Sequence, residues 1–127
     1  MDKEFIPYEQ ALELKELGFD EECLGYYHTT LSSSDVDLVI VKTPNRFYYL
    51  IKIPEYFDTL APLYQQAFRW FRENGIDYSI VPMRIGGWKE YQYVIFTLDE
   101  IVETGFDTYE EAELACLKKL IEIVKNK

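Results

Sequence analysis

The sequence predicts an α+β fold: a single domain over residues 1–127, with a mainly antiparallel sheet and helices packed mostly on one of its faces. Three observations carry this expectation. Apolar residues recur at helical spacing in three separate segments. Runs rich in aromatic and β-branched residues lie between those segments, bounded by Pro, Gly and Ser-rich breaks. The links between the runs are mostly short, which suits hairpins better than crossovers. The expected order is α-β-β-β-α-β-β-α, and a sheet of this kind keeps one face free of helices.

Pro7 suits the first turn of a helix, where its missing N–H is not needed. Tyr8, Ala11 and Leu12 share one face, with Leu14 and Leu17 beside it, while Glu9, Glu13 and Glu16 face water. Gly18 is a natural left-handed cap, and Phe19 can pack back on the last turn. Leu24 to Leu31 reads as a strand, and Ser32 to Asp35 as a loop. Val36 to Lys42 resumes an extended pattern. Thr43-Pro44-Asn45 is a turn, and Arg46 to Ile53 is the hairpin partner, closed by Pro54.

Leu60, Leu63, Tyr64, Ala67, Phe68 and Phe71 match the helical template, with Asp58 or Thr59 as cap and Asn74-Gly75 as stop. Asp77 to Pro82 is a short strand. Gly86-Gly87 supplies the positive φ angles of a tight hairpin, and Tyr91 to Leu98 is the last strand. An acidic connection then leads to the C-terminal helix. There Thr108 and Glu111 form a capping box, with the Glu111 carboxylate expected on the Thr108 N–H. Glu110, Glu111 and Glu113 favour the positive end of the helix dipole, and Lys118, Lys119 and Lys125 the negative end. Tyr109, Ala112, Cys116, Leu117, Leu120, Ile123 and Val124 form the apolar stripe, widened by Leu114 and Ile121.

A chain of 127 residues can bury roughly two-thirds of its unfolded surface without staples. No apolar run reaches the roughly 20 residues of a membrane helix. The N-terminus lacks the basic and apolar regions of a signal peptide, so a cytoplasmic chain is expected. Cys23 and Cys116 are too few for a disulfide framework or a structural zinc site. Both are expected to stay reduced, with Cys116 buried and Cys23 more accessible.

The formal charge of −10 opposes direct nucleic-acid binding. It is unevenly spread. Residues 1–25 carry eight acids against Lys3 and Lys15, and Asp99 to Glu113 holds seven acids and no base. Solvated helix faces and helix N-termini account for most of them.

Three segments carry a resemblance: Phe5 to Asp20, Pro62 to Glu73, and Thr108 to Val124. Together they resemble short uncharacterised proteins encoded by phages and prophages of gut Bacteroides-like bacteria. The resemblance covers the helices and little of the sheet. It implies a phage origin and residence in the cytoplasm of a bacterial host, or in a virion. It brings no activity, cofactor or catalytic residue.

Among candidate site residues, His28 is the sole histidine. It lies on a strand with Cys23 before it and Asp35 and Asp37 after it, the makings of a small catalytic or ligand site. No local nucleophile signature accompanies it, and a strand histidine is more often structural. Asp35 and Asp37 alone are a weak cation site, and no metal or cofactor is expected. Lys42, Arg46 and Lys52, interleaved with Phe47, Tyr48 and Tyr49, could stack bases, against which the net charge speaks. The acids of 99–113 could instead mimic DNA phosphates and block a host protein.

Eleven Tyr, eight Phe and two Trp exceed the needs of a thin core, and such residues are favoured where proteins meet. The leading expectation is therefore a non-catalytic interaction module for a host or phage protein, with a homodimer among the expected assemblies. Its expected surface comprises Tyr26, Tyr27, Arg46, Tyr48 and Lys52.

Overall fold

The structure is a computed structural model that describes residues 2–30, 33–40 and 58–127. The expected turn at 43–45, the strand from Arg46 to Ile53, and with them Lys42, Arg46, Tyr48 and Lys52 lie outside those residues. The described chain is α+β, with two three-stranded antiparallel sheets and three α-helices. By contacts it divides into two compact units, Met1–Ala67 and Phe68–Lys127. No helix among the described residues is long and apolar enough to cross a membrane.

In the first unit, helix α1 spans Tyr8–Glu16. It ends as Gly18 requires. Gly18 takes φ +101°, its N–H donates to Lys15 O, and the Phe19 N–H donates to Leu14 O at 3.0 Å. Phe19, just past this cap, is buried. Strands β1 (Gly25–Thr30), β2 (Ser33–Ile40) and β3 (Asp58–Ala61) follow, in the spatial order β2-β1-β3.

Two expectations are corrected here. Ser33 to Asp35 belongs to β2 instead of a loop, so the β1–β2 hairpin turns sooner than the serine run suggests. Asp58 and Thr59 are strand residues paired with β1, not a helix cap. Pro62 explains why: the residue before a proline is pushed out of helical geometry, so Ala61 ends a strand and Leu60 matched the helical template only by spacing. Helix α2 starts at Tyr64 and runs to Glu73, with Gly75 (φ +87°) and Ile76 repeating the cap of α1.

One face of the first sheet carries Gly25, Tyr27 and Thr29, and the segment leading into α1 lies against it. A Cβ on Gly25 would sit 2.8 Å from the Val39 carbonyl and 3.2 Å from the Phe5 ring, so only glycine fits. The Tyr27 ring meets Tyr8 edge-on at 5.5 Å, and its hydroxyl donates to Ile6 O at 2.5 Å.

In the second unit, β4 (Asp77–Ile85), β5 (Trp88–Phe96) and β6 (Ile101–Phe106) form a meander, followed by α3 (Tyr109–Lys125). Gly86 and Gly87 (φ +58° and +90°) make the β4–β5 turn as expected. Strand β6 corrects the reading of 99–107 as a plain connection, and the order becomes α-β-β-β-α-β-β-β-α. It is an edge strand with mostly exposed side chains, so its sequence shows no burial alternation. Thr108 caps α3 by accepting from the Glu111 N–H at 3.1 Å, but the Glu111 carboxylate accepts from Asp107 N–H instead of Thr108 N–H.

Helix α3 crosses all three strands, chiefly β5. Ala112, Cys116, Leu117, Leu120 and Ile121 are buried beneath it. Facing them from the sheet are Tyr93, 1% exposed, and Ile95, while Tyr91 meets Tyr109 edge-on at 6.1 Å. Phe68 stacks on Tyr78 at 4.2 Å on the same side of the sheet. Within each unit, then, helical segments cover one face of a sheet, as the sequence predicts.

Candidate functional site

The sequence-derived candidates that fall within the described residues sit on the first sheet. Alternation along β1 places Tyr26 and His28 on the face opposite Tyr27. Tyr27 is therefore tied to the helix side by its bond to Ile6 and its contact with Tyr8. Tyr26 is half-buried, with Val39 and Leu60 as its cross-strand neighbours.

His28 lies opposite Asp37 on β2 and, in the register of the other neighbour, opposite Asp58 on β3. Side chains directly opposite in an antiparallel pair have Cβ atoms about 4.5–5.5 Å apart, within reach of a carboxylate–imidazole interaction. The structure thus brings His28 and Asp37 together, while Asp35 lies in β2 with its side chain outside the described part. A carboxylate beside an imidazole can orient it.

Cys23 cannot complete a nucleophile–base pair with this histidine. It is fully buried, contrary to the expectation of greater access, and its Sγ donates to Glu21 O at 3.4 Å. Burial above all, with Glu21 adding, pushes its thiol up to about 12, so the thiolate that would react is suppressed. Cys116 is likewise pushed to about 12 by burial, then by Glu113. Both thiols are free.

Among the described residues, exposed apolar side chains gather elsewhere, on the side of the β4–β5–β6 sheet away from α3. The strand register places Val94 beside Val102, and Phe96 opposite Asp77. Phe96 is 48% exposed, Val102 51% and Trp88 76%. Leu98, in the β5–β6 turn, is fully exposed. Val94 at the centre is buried among its neighbours. Trp88, Val94 and Phe96 share one phase of the β5 alternation, with Val102 beside Val94, while Tyr91, Tyr93 and Ile95 take the other.

A bulge in β6 keeps the two phases apart. The register shifts between Tyr91 and Tyr93, and Gly105 takes φ +92° there. Glu103 and Phe106, three apart in sequence, consequently both serve the α3 side. Phe106 stacks on Tyr93 at 5.9 Å, and the Tyr93 hydroxyl donates to the Glu103 carboxylate at 2.5 Å. Desolvation, reinforced by this bond to Glu103, raises the Tyr93 phenol well above its ordinary value.

The rim of the outer face is acidic. Asp77 and Glu90 lie on it, and Asp99 and Glu100 occupy the turn at its edge, where the Thr97 hydroxyl donates to Asp99 O. The nearby cations Arg84 and Lys89 belong to the α3 phase, and Lys89 Nζ stands 5.4 Å from the Tyr91 ring centre. No Lys or Arg occupies the outer phase among the described residues.

Sequence reasoning missed this surface. Its signal was present in β5, which is apolar in both phases from Tyr93 to Phe96, and in the apolar Leu98 and Val102 within an acidic stretch. Comparison of the chain with protein-family models, curated proteins and solved structures finds no match.

Proposed function

We propose that this chain is a non-catalytic protein-interaction module whose docking surface is the outer face of the β4–β5–β6 sheet. One observation carries the reading. Phe96, Leu98 and Val102 form an exposed apolar set at one end of a sheet whose other side is filled by α3, and Trp88 stands exposed at the far end of the same strand phase. Solvent alone gives no reason for such a set, whereas interfaces favour aromatic anchors on a fixed scaffold. The helical resemblance supports a phage-encoded chain working in the cytoplasm of a bacterial host, or in a virion, on a host or phage protein.

The reading is tested by affinity capture from lysate of the bacterium that carries the gene, comparing the natural chain with Phe96→Ser and Val102→Ser. A partner retained by the natural chain and lost by both variants is expected. Unchanged capture by both variants sinks the assignment of this face.

A second reading, a small enzyme or ligand site centred on His28, is supported by the opposition of His28 and Asp37 across β1 and β2. It predicts that His28→Asn abolishes ligand binding or turnover and leaves capture intact. DNA mimicry draws less support, because Glu103 is engaged by Tyr93 and Glu111 by the α3 cap.

A further inference from the structure

From the charge pattern around this outer face, and resting on the reading of it as a docking surface, we infer that its occupant is a cationic polypeptide segment: Lys or Arg side chains flanking apolar anchors. The apolar centre at Val94, Phe96 and Val102 is bordered by Asp77 on β4 and by Asp99 and Glu100 in the turn. Unlike Glu103 and Glu111, whose carboxylates accept bonds from Tyr93 and Asp107, Asp99 and Glu100 lie exposed at the edge of the face.

Apolar contact supplies affinity at such a surface, and rim charge selects the partner and speeds its approach. A partner with basic groups around its anchors places them over these carboxylates. A second copy of this chain would instead bring two acidic rims together on molecules that each carry −10, and like charges in juxtaposition oppose that pairing. Nucleic acid meets the same repulsion from its phosphates.

The test uses isothermal titration of the full chain with two synthetic amphipathic peptides that share one apolar face. One carries Lys and Arg on its polar face and the other Glu. The cationic peptide is expected to bind at least ~10-fold tighter at low salt, a preference that shrinks as added salt shortens the screening length. Asp99→Asn combined with Glu100→Gln should erase most of that preference, and Phe96→Ser or Val102→Ser should abolish binding.

Equal affinity for both peptides, still lost in Phe96→Ser, overturns the cationic partner and leaves the docking face standing. Absence of any binding that depends on Phe96 or Val102 overturns the cationic partner too, and unchanged capture by both variants would then remove the face itself. Sedimentation showing self-association that Phe96→Ser abolishes would assign the face to a second copy and overturn the inference.

Discussion

The two faces of the β4–β5–β6 sheet are made from the same strands and comparably apolar residues, yet they have opposite fates. On one, Tyr93 and Ile95 are closed off beneath α3, and a bulge at Gly105 turns both Glu103 and Phe106 toward Tyr93. On the other, Phe96 and Val102 stand about half exposed, with Trp88 more so. The covered face is explained by stability, since each buried aliphatic or aromatic side chain removes apolar surface from water. The open face gains nothing comparable from folding, so its apolar character needs a different account, and docking is the one its acidic border sharpens.

The comparison breaks most directly by truncation on each side. Ile95→Ala and Phe68→Ala remove buried groups of the α3 side and should each cost roughly 2–5 kcal/mol in denaturant unfolding. Phe96→Ser and Val102→Ser should change stability far less, so similar losses on the two faces would mean that the outer face is packed after all.

Alkali probes the covered side by chemistry instead of volume. Burial raises the Cys116 thiol from 9.0 to about 12 and lifts the Tyr93 phenol in the same direction. Below pH 9 these groups are protonated whether the chain is folded or not. Above it the unfolded chain loses protons that the folded chain retains, so stability falls as pH rises from about 9 toward 12. Urea midpoints measured across that range should decline, and Cys116→Ala should decline less steeply than the natural chain. A flat profile would show that these groups are not shielded.

A smaller effect is expected at the end of the covering helix. Thr108→Ala deletes the acceptor for the Glu111 N–H and should cost about 1 kcal/mol, with Thr108→Ser restoring most of it. Smallest of all is Arg69→Ala. Its 3.9 Å pair with Glu73 is solvent-exposed, and the change should lie within about 0.5 kcal/mol of neutral.

Much of this division was legible beforehand. The ends of α1 and α2 followed from Gly18 and Gly75, because a left-handed residue there costs glycine little, and α3 followed from Thr108 and its stripe. Phe68 and Phe71 are buried as their spacing predicts. Strands β3 and β6 were hidden for physical reasons. Leu60 fell by chance on a helical spacing that Pro62 forbids, and β6, exposed along most of its length, has no burial period to detect.

The candidate surface was less legible than the fold. Periodicity reports which residues alternate, but not which of two apolar phases a helix will cover, and in β5 both phases qualified. The neighbourhood of His28 depended on register, which pairs it with Asp37 only once the β1–β2 hairpin is closed. Tyr27 looked like an outward aromatic until its hydroxyl was placed on Ile6 O.

The strand connections also set a timetable. Gly86 and Gly87 let β4 fold straight back on β5, and β6 returns through the short turn after Phe96, so each pairing in that sheet joins near neighbours in sequence. Strand β1 must instead find β3 across the whole stretch from Thr30 to Asp58, and closing a longer loop costs more chain entropy before any contact repays it. Pulse-labelled hydrogen exchange during refolding should therefore protect the β4 and β5 amides first and the β1–β3 amides later. The sheet that carries the open face would then expose its apolar side to solvent, and to neighbouring chains, from the earliest stage of folding onward.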